Sequence, residues 1–220
     1  MLGTPKIARA LDVACGTGLS TIALADRAQF AVGVDATEAM VALAPTSVHV
    51  AYGVAQAERL PFGAKSFDLV TVASGVHWFR QNDFFAEAAR VLDRNGALVF
   101  YDHPFEGCVD EPAIKEWLEN RFETRYPTPP HGARPDEEMT AARFIELEAL
   151  VYQDEVRFTH GEFISYLLSN SNTIQAESHG RETFEETEAW LRAETEQWFR
   201  SSESHPFLFR GIVRTFRLMD

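Results

Sequence analysis

The 220-residue chain is 45% hydrophobic and carries a formal charge of -13, enough apolar content to bury a core in one large domain or two small ones. The acidic balance argues against a nucleic-acid backbone or an anionic membrane surface as the main partner, leaving small molecules or a protein partner. No apolar run approaches the ~20 residues needed to span a bilayer, and Met1-Leu2-Gly3-Thr4 lacks the apolar core of a signal peptide, so a cytoplasmic protein with no membrane association is expected.

The first strand is predicted from Ile7 to Val13, an apolar run broken by Arg9 and Asp12. Small residues follow (Ala14-Cys15-Gly16-Thr17-Gly18), and Leu19, Ile22, Ala23 and Leu24 then resume at helical spacing. Such a turn lets a ligand approach the backbone closely at a helix end whose N–H groups attract acceptor atoms. Cys15 suits the turn as a small packing residue, with no neighbouring base or cation in sequence to activate it. The next apolar run, Phe30 to Val34, ends at Asp35, where a carboxylate can accept both hydroxyls of a ribose. The dinucleotide fingerprint asks for Gly or Ala three residues after Gly18, and this chain has Thr21. A ligand with a ribose but no pyrophosphate is therefore favoured.

A short helix from Ala36 to Met40 ends by Pro45, and a third strand runs from Val48 to Tyr52 with Gly53 ending it. Gln56 and Ala57 follow on a loop. The run Ser66 to Ala73 is almost continuously apolar, as a parallel strand covered on both faces should be. Its sequel, Ser74-Gly75-Val76-His77-Trp78-Phe79, is predicted to face the same crevice as Gly16 and Asp35, since ligands of open α/β sheets sit beyond the carboxyl ends of the strands. Asp83 is placed as the cap of a helix bearing Phe84, Phe85, Ala88, Ala89 and Leu92, and Asn95-Gly96 turns the chain into a strand from Ala97 to Tyr101.

From Phe105 to Met139 prolines punctuate one helical segment in which Ile114, Trp117, Leu118 and Phe122 share a face. It reads either as a cover over the crevice or as a surface helix on the sheet edge; Trp117 is core in both. Thr159 to Glu162 and Thr183 to Glu186 have the form of capping boxes, opening helices that carry Phe163, Tyr166 and Leu167, and then Leu191, Trp198 and Phe199. Pro206 to Phe216 reads as a final strand. Cys15 and Cys108 form no disulfide framework, and no His, Cys and carboxylate set has metal-ligand spacing, so no metal is expected.

The stretch Leu-Asp-Val-Ala-Cys-Gly-Thr-Gly (11–18) resembles the first motif of class I S-adenosylmethionine-dependent methyltransferases, with Ala14 where many members carry Gly. Leu60-Pro61-Phe62, Ser66-Phe67-Asp68, His77-Trp78-Phe79, Glu87-Ala88-x-Arg90-Val91-Leu92 and Gly96 before a strand are similar to methyltransferases of type 11, the kind that includes trans-aconitate methyltransferases. The likeness is strong over residues 7–103.

The resemblance implies an α/β, Rossmann-like fold, a mostly parallel seven-stranded sheet with helices on both faces and an antiparallel last strand. It implies one domain over 1–220, with a cofactor-binding half (1–104), an inserted helical cover (105–140) and a C-terminal part completing the sheet (141–220). S-adenosyl-L-methionine is the implied cofactor, held by Asp12, Ala14, Gly16, Thr17, Gly18, Asp35, Gln56, Ala57 and Ser74. Gln56 would reach the adenine amino group where many members use Asp, and the Ala57 backbone would meet a ring nitrogen. Members usually carry helices ahead of the first strand, so either a truncated chain or an open pocket is expected here.

The implied activity is methyl transfer to a small-molecule acceptor, a carboxylate or a hydroxyl. His77 is the candidate base or hydrogen-bond donor to that acceptor, with a wall residue as the plainer alternative; Trp78, Tyr101, Asp102 and His103 stand near the same strand ends. Arg121, Arg125 and Arg143 are available to a carboxylate, and Ser171 and Asn172 to an acceptor site. The competing readings are a non-enzymatic S-adenosylmethionine-binding or interaction protein and a nicotinamide oxidoreductase, the latter disfavoured by Thr21. The oligomeric state is not legible.

Overall fold

The computed structural model describes residues 7–127, 139, 142–200 and 202–219. Pro129, Pro130 and Pro135 of the proline-punctuated segment lie outside the described residues. The elements run β1 (Ile7–Val13), α1 (Leu19–Ala25), β2 (Ala28–Asp35), α2 (Glu38–Val41), β3 (Val50–Val54), β4 (Phe67–Ala73), a 3-10 turn (Val76–Trp78), α3 (Gln81–Val91), β5 (Leu92–Asp102) and β6 (Phe105–Cys108). There follow α4 (Ala113–Trp117), a wide π turn (Leu118–Phe122), α5 (Glu123–Arg125), β7 (Phe144–Thr159), α6 (His160–Leu168), α7 (Ser171–Ser178), α8 (Phe184–Phe199) and β8 (Ser204–Leu218).

Two compact units share the chain. The first takes the described residues within 1–102, 131–151 and 212–220, the second those within 103–130 and 152–211. In the first, strand order is β3-β2-β1-β4-β5-β8, parallel from β3 to β5 and antiparallel where β8 joins β5. Its core packs Leu11, Val13, Val70, Val72 and Leu98 from the strands against Phe84, Phe85, Ala88 and Val91 of α3, the apolar stripe expected of that helix. In the second unit β6 pairs antiparallel with the first part of β8, and Ile114, Trp117, Phe122, Phe163, Leu167, Leu191 and Phe207 form the core. Both predicted capping boxes are formed: Thr159 accepts from Glu162 N–H and Thr183 from Glu186 N–H, and each Glu takes the Thr backbone N–H in return. Among the described residues no helix is long and apolar enough to cross a membrane.

Among the described residues there are eight strands where seven were expected. β6 lies within the stretch read as helical, and β7 is almost wholly exposed, with apolar and polar residues alternating only over 145–149 and 155–159 on either side of the irregular run 150–154. Gly53 sits inside β3, opposite Val34, and does not end it. Asp83 caps nothing; α3 begins at Gln81, and the Asp83 carboxylate instead accepts from Arg80 Nε at 2.8 Å. Asn95-Gly96 makes no separate turn. The β4–β5 register jumps there, from Phe67↔Leu92 to Leu69↔Ala97, and a Cβ on Gly96 would fall 2.8 Å from Leu92 Cδ2.

One clasp explains why two motifs far apart in sequence belong together. The Arg90 guanidinium donates to the carbonyls of Leu60 and Phe62 at 3.0 and 2.6 Å, while Glu87 accepts from Leu60 N–H at 2.8 Å and pairs with Arg90. The loop carrying Leu60-Pro61-Phe62 is thereby fastened to α3. Hydrogen bonds to charged groups contribute ~1.5–3 kcal/mol each, so Arg90→Ala should lower unfolding stability by about 2–4 kcal/mol in urea titrations. Hydrogen bonding from Arg90 holds the Glu87 carboxyl below its usual range, so this stabilisation is present above the unfolded carboxylate pKa and is lost as pH falls through the folded one. The gap between variant and wild type should narrow in acid; a gap that widens there would contradict the clasp.

Candidate active site

The turn after β1 is built from backbone that favours glycine. Ala14, Gly16 and Gly18 all have positive φ, at 59°, 54° and 81°, and a Cβ on Gly18 would collide with the Tyr52 ring at 2.6 Å. The Cys15 N–H donates to Val34 O at 3.0 Å, and the Tyr52 hydroxyl to Gly18 O at 3.2 Å. These bonds tie the turn to β2 and β3. Above Gly16 there is open space, since a Cβ there would meet nothing within 4 Å. Asp35 stands beside it: one oxygen accepts from Gly16 N–H at 2.9 Å, the other from Thr37 N–H at 2.8 Å. Each oxygen has two acceptor sites and spends one here.

Asp12 lies beneath the turn, fully buried. Its carboxylate accepts from the hydroxyls of Ser20, Thr21 and Thr71, which leaves it no access to a ligand. Burial and three hydroxyl partners are what a side chain supporting the turn from below would have. Burial raises its pKa, and the three hydroxyls pull it back down. Thr21 replaces the fingerprint's third small residue without disturbing helix packing because the next strand supplies the room. A Cβ on Gly33 would sit 2.6 Å from Thr21 Oγ1 and 2.9 Å from Cys15 Sγ. Cys15 is a packed residue, its thiol pushed up to about 12 mainly by burial.

A second strained strand end faces this one. Ser74, just past β4, has φ 48°; its N–H donates to Tyr101 O at 2.9 Å and its hydroxyl to Asp102 Oδ1 at 2.6 Å. A Cβ on Gly75 would come within 3.0 Å of Ala14 Cβ, so the two strand ends nearly touch. His77 lies in the following 3-10 turn, its ring 5.1 Å from that of half-exposed Trp78. Ser74, His77, Tyr101, Asp102, Ile212 and Arg214 line a cavity of about 150 Å³. Arg214 is held by Glu146 at 2.6 Å and lies over Phe216, 5.0 Å from the ring centroid. A hollow of about 490 Å³ opens beside Lys65, Leu92 and Leu218, at the opposite strand ends.

Gln56 and Thr17 lie at the surface around the same turn and loop, Gln56 exposed and Thr17 half-buried, while the Ala57 side chain is buried. The sequence brings out neither Tyr52 as the brace under Gly18 nor Arg214 and Ile212 as cavity walls; the latter two arrive on β8, and no spacing links them to His77. His103 belongs to the second unit, its ring packed 4.7 Å from Phe209 and 5.7 Å from Tyr152. There too Arg121 pairs with Glu194, Arg125 pairs with Glu182 and covers Trp190, and Asn172 donates to Tyr126 O. Cys108, Asp110 and His205 come together in that unit, a group that no sequence spacing announces.

Residues 11–100 match the family model described as a methyltransferase domain. The chain is 31% identical over 127 residues to an uncharacterized methyltransferase of Bacillus subtilis (54% of this chain, 49% of that protein), and 38% identical over 93 residues to the demethylmenaquinone methyltransferase of Corynebacterium glutamicum (41% and 39%). It spans about a third to a half of the length of the curated relatives it matches. A solved structure, that of a candidate type II methyltransferase from Anaeromyxobacter dehalogenans, shares the fold over 97% of this chain and 91% of its own, with a TM-score of 0.74 at 24% identity. The matched stretch includes the glycine turn, Asp35 and the β4 end that the geometry draws together, and on these findings residues 11–100 are similar to the methyltransferase domain of class I S-adenosylmethionine-dependent methyltransferases.

Proposed function

We propose that this protein transfers a methyl group from S-adenosyl-L-methionine to a small-molecule acceptor through a carboxylate or hydroxyl oxygen. The observation that carries the reading is the convergence of the open Gly16 turn, Asp35 and the His77 cavity at the carboxyl ends of neighbouring parallel strands. The residues present fit the cofactor: Asp35 keeps acceptor capacity for ribose hydroxyls beside a turn whose backbone is bare, and Gln56 stands exposed on the loop assigned to the adenine. Gly16, Thr17 and Gly18 would face its amino-acid tail, with the Ala14 and Ser74 backbones forming the walls. The cofactor supplies a methyl group already activated by a sulfonium, so the chain has mainly to bind, align and exclude water.

On the acceptor side His77, Asp102 and Arg214 give the cavity both signs of charge and a titratable imidazole. An acceptor carboxylate needs only orientation, for which Arg214, steadied by Glu146, is suited. A hydroxyl needs a base, and His77 is the candidate.

Calorimetry with S-adenosylhomocysteine tests the cofactor half. Asp35→Ala should abolish measurable binding through the loss of charge-assisted bonds of ~1.5–3 kcal/mol each, whereas Asp35→Asn, which still accepts one turn N–H, should retain the fold and bind weakly. Unchanged affinity in both variants would overturn the assignment. For the acceptor half, His77→Ala should leave cofactor affinity unchanged and lower turnover by ~10²–10⁴ if the imidazole moves a proton. His77→Gln keeps a hydrogen bond without titrating near neutrality, so full recovery in Gln assigns positioning alone. A His77→Ala variant that weakens cofactor binding as much as turnover would place the residue on the donor side.

A further inference from the structure

The second unit contains a cluster that methyl transfer does not use. Cys108 ends β6, Asp110 follows two residues later, and His205 lies at the start of β8. The β6–β8 pairing sets Cys108 opposite Phe207, and Val109 N–H donates to Pro206 O at 2.9 Å. Backbone register therefore fixes the meeting of residues that are 95 positions apart. Cys108 and His205 are buried, while the Asp110 side chain is half exposed. Cys108 Sγ is 3.3 Å and His205 Nδ1 2.8 Å from Asp110 Oδ1, and the three atoms lie within 4.8 Å of one another.

The orientation of His205 carries the argument further. Its Nε2 is 2.9 Å from Trp198 O, and a carbonyl only accepts, so Nε2 donates there and Nδ1 is the ring atom turned to Asp110 and the cluster. Phe199 packs edge-on against the ring at 4.9 Å. A histidine metal ligand is oriented in this way, by its other N–H on a backbone carbonyl.

We propose that Cys108, Asp110 and His205 bind one divalent transition-metal ion of the zinc class, with water in the fourth position. Tetrahedral zinc with bonds of about 2.0 Å to N and O and 2.3 Å to S separates N from O by about 3.3 Å and S from O by about 3.5 Å. Asp110 Oδ1 has to open by about 0.5 Å from His205 Nδ1 and by about 0.2 Å from Cys108 Sγ, a freedom its half-exposed side chain has, and Cys108 Sγ and His205 Nδ1, within 4.8 Å of each other, have to settle at about 3.5 Å. One thiolate, one imidazole and one carboxylate suit zinc better than magnesium or calcium. On binding, the Cys108 S–H bond breaks, the sulfur keeps the electron pair as donor to the metal, and the proton leaves to solvent. The ion would clip β6 to β8, closing the long loop between them.

Cobalt(II) as probe decides the matter on the full-length chain stripped with chelator. One equivalent should produce the visible bands of tetrahedral cobalt and a near-ultraviolet sulfur-to-cobalt band, both bleached by one equivalent of zinc(II), and zinc should raise Tm. Cys108→Ser and His205→Gln should each weaken zinc binding at least tenfold, and Cys108→Ser should also remove the sulfur band. Wild-type protein with native circular dichroism and no sulfur-to-cobalt band would overturn the site, as would undiminished zinc affinity in a folded Cys108→Ser. Should a variant misfold, the wild-type spectrum and the other variant still decide.

Discussion

The site rests on one buried carboxylate. Asp12 brings a charge into the interior of a parallel sheet, where desolvation is unfavourable unless donors surround the group, and it recruits hydroxyls from α1 and from β4 to do so. The three bonds set the distance between β1, the helix after it and the neighbouring strand. With those elements fixed, the turn above Asp12 has little freedom left. Ser20, Thr21 and Thr71 thus act on the turn through Asp12.

The strain in the turn follows from that restraint. Ala14 and Ser74 are held in a left-handed conformation that costs a residue with a Cβ roughly 1–2 kcal/mol. Both occur at strand ends, on the two sides of the Ala14–Gly75 approach. Backbone of this kind persists where the surroundings over-determine it, and here Cys15 and Ser74 each bond the neighbouring strand through their own N–H. Restrained backbone on both sides fixes the separation of the two strand ends where Gly75 meets the Ala14 methyl.

Much of this was legible in the sequence wherever local chemistry and burial agreed. Apolar runs located β1, β2, β4 and β8, the glycine turn and Asp35 stood out by residue type, and the boxes at Thr159 and Thr183 were specified by a Thr and a Glu three residues apart. What escaped depends on partners distant in sequence. β7 is held by pairing with β8 while most of its side chains face solvent, so the alternation at its two ends answers to no buried face. The jump at Asn95-Gly96 is a register property of two strands together. Asp12 stood out by type and position, but its burial and its three hydroxyl donors come from residues the motif does not specify together. Tyr52 and Arg214 support the site from strands with no motif of their own.

The pairing of β8 with β5 also bears on how the protein is made. Arg217 lies opposite Ala97 and Ile212 opposite Asp102, so the first unit's sheet is completed by residues translated long after the rest of its strands. Until they emerge from the ribosome, β5 presents an open edge rich in Leu98, Val99, Phe100 and Tyr101, the sort of edge that templates aggregation. Every contact that closes it is long-range, and such contacts form slowly. Closing the β5 edge is therefore left to the last residues of β8 that the ribosome delivers.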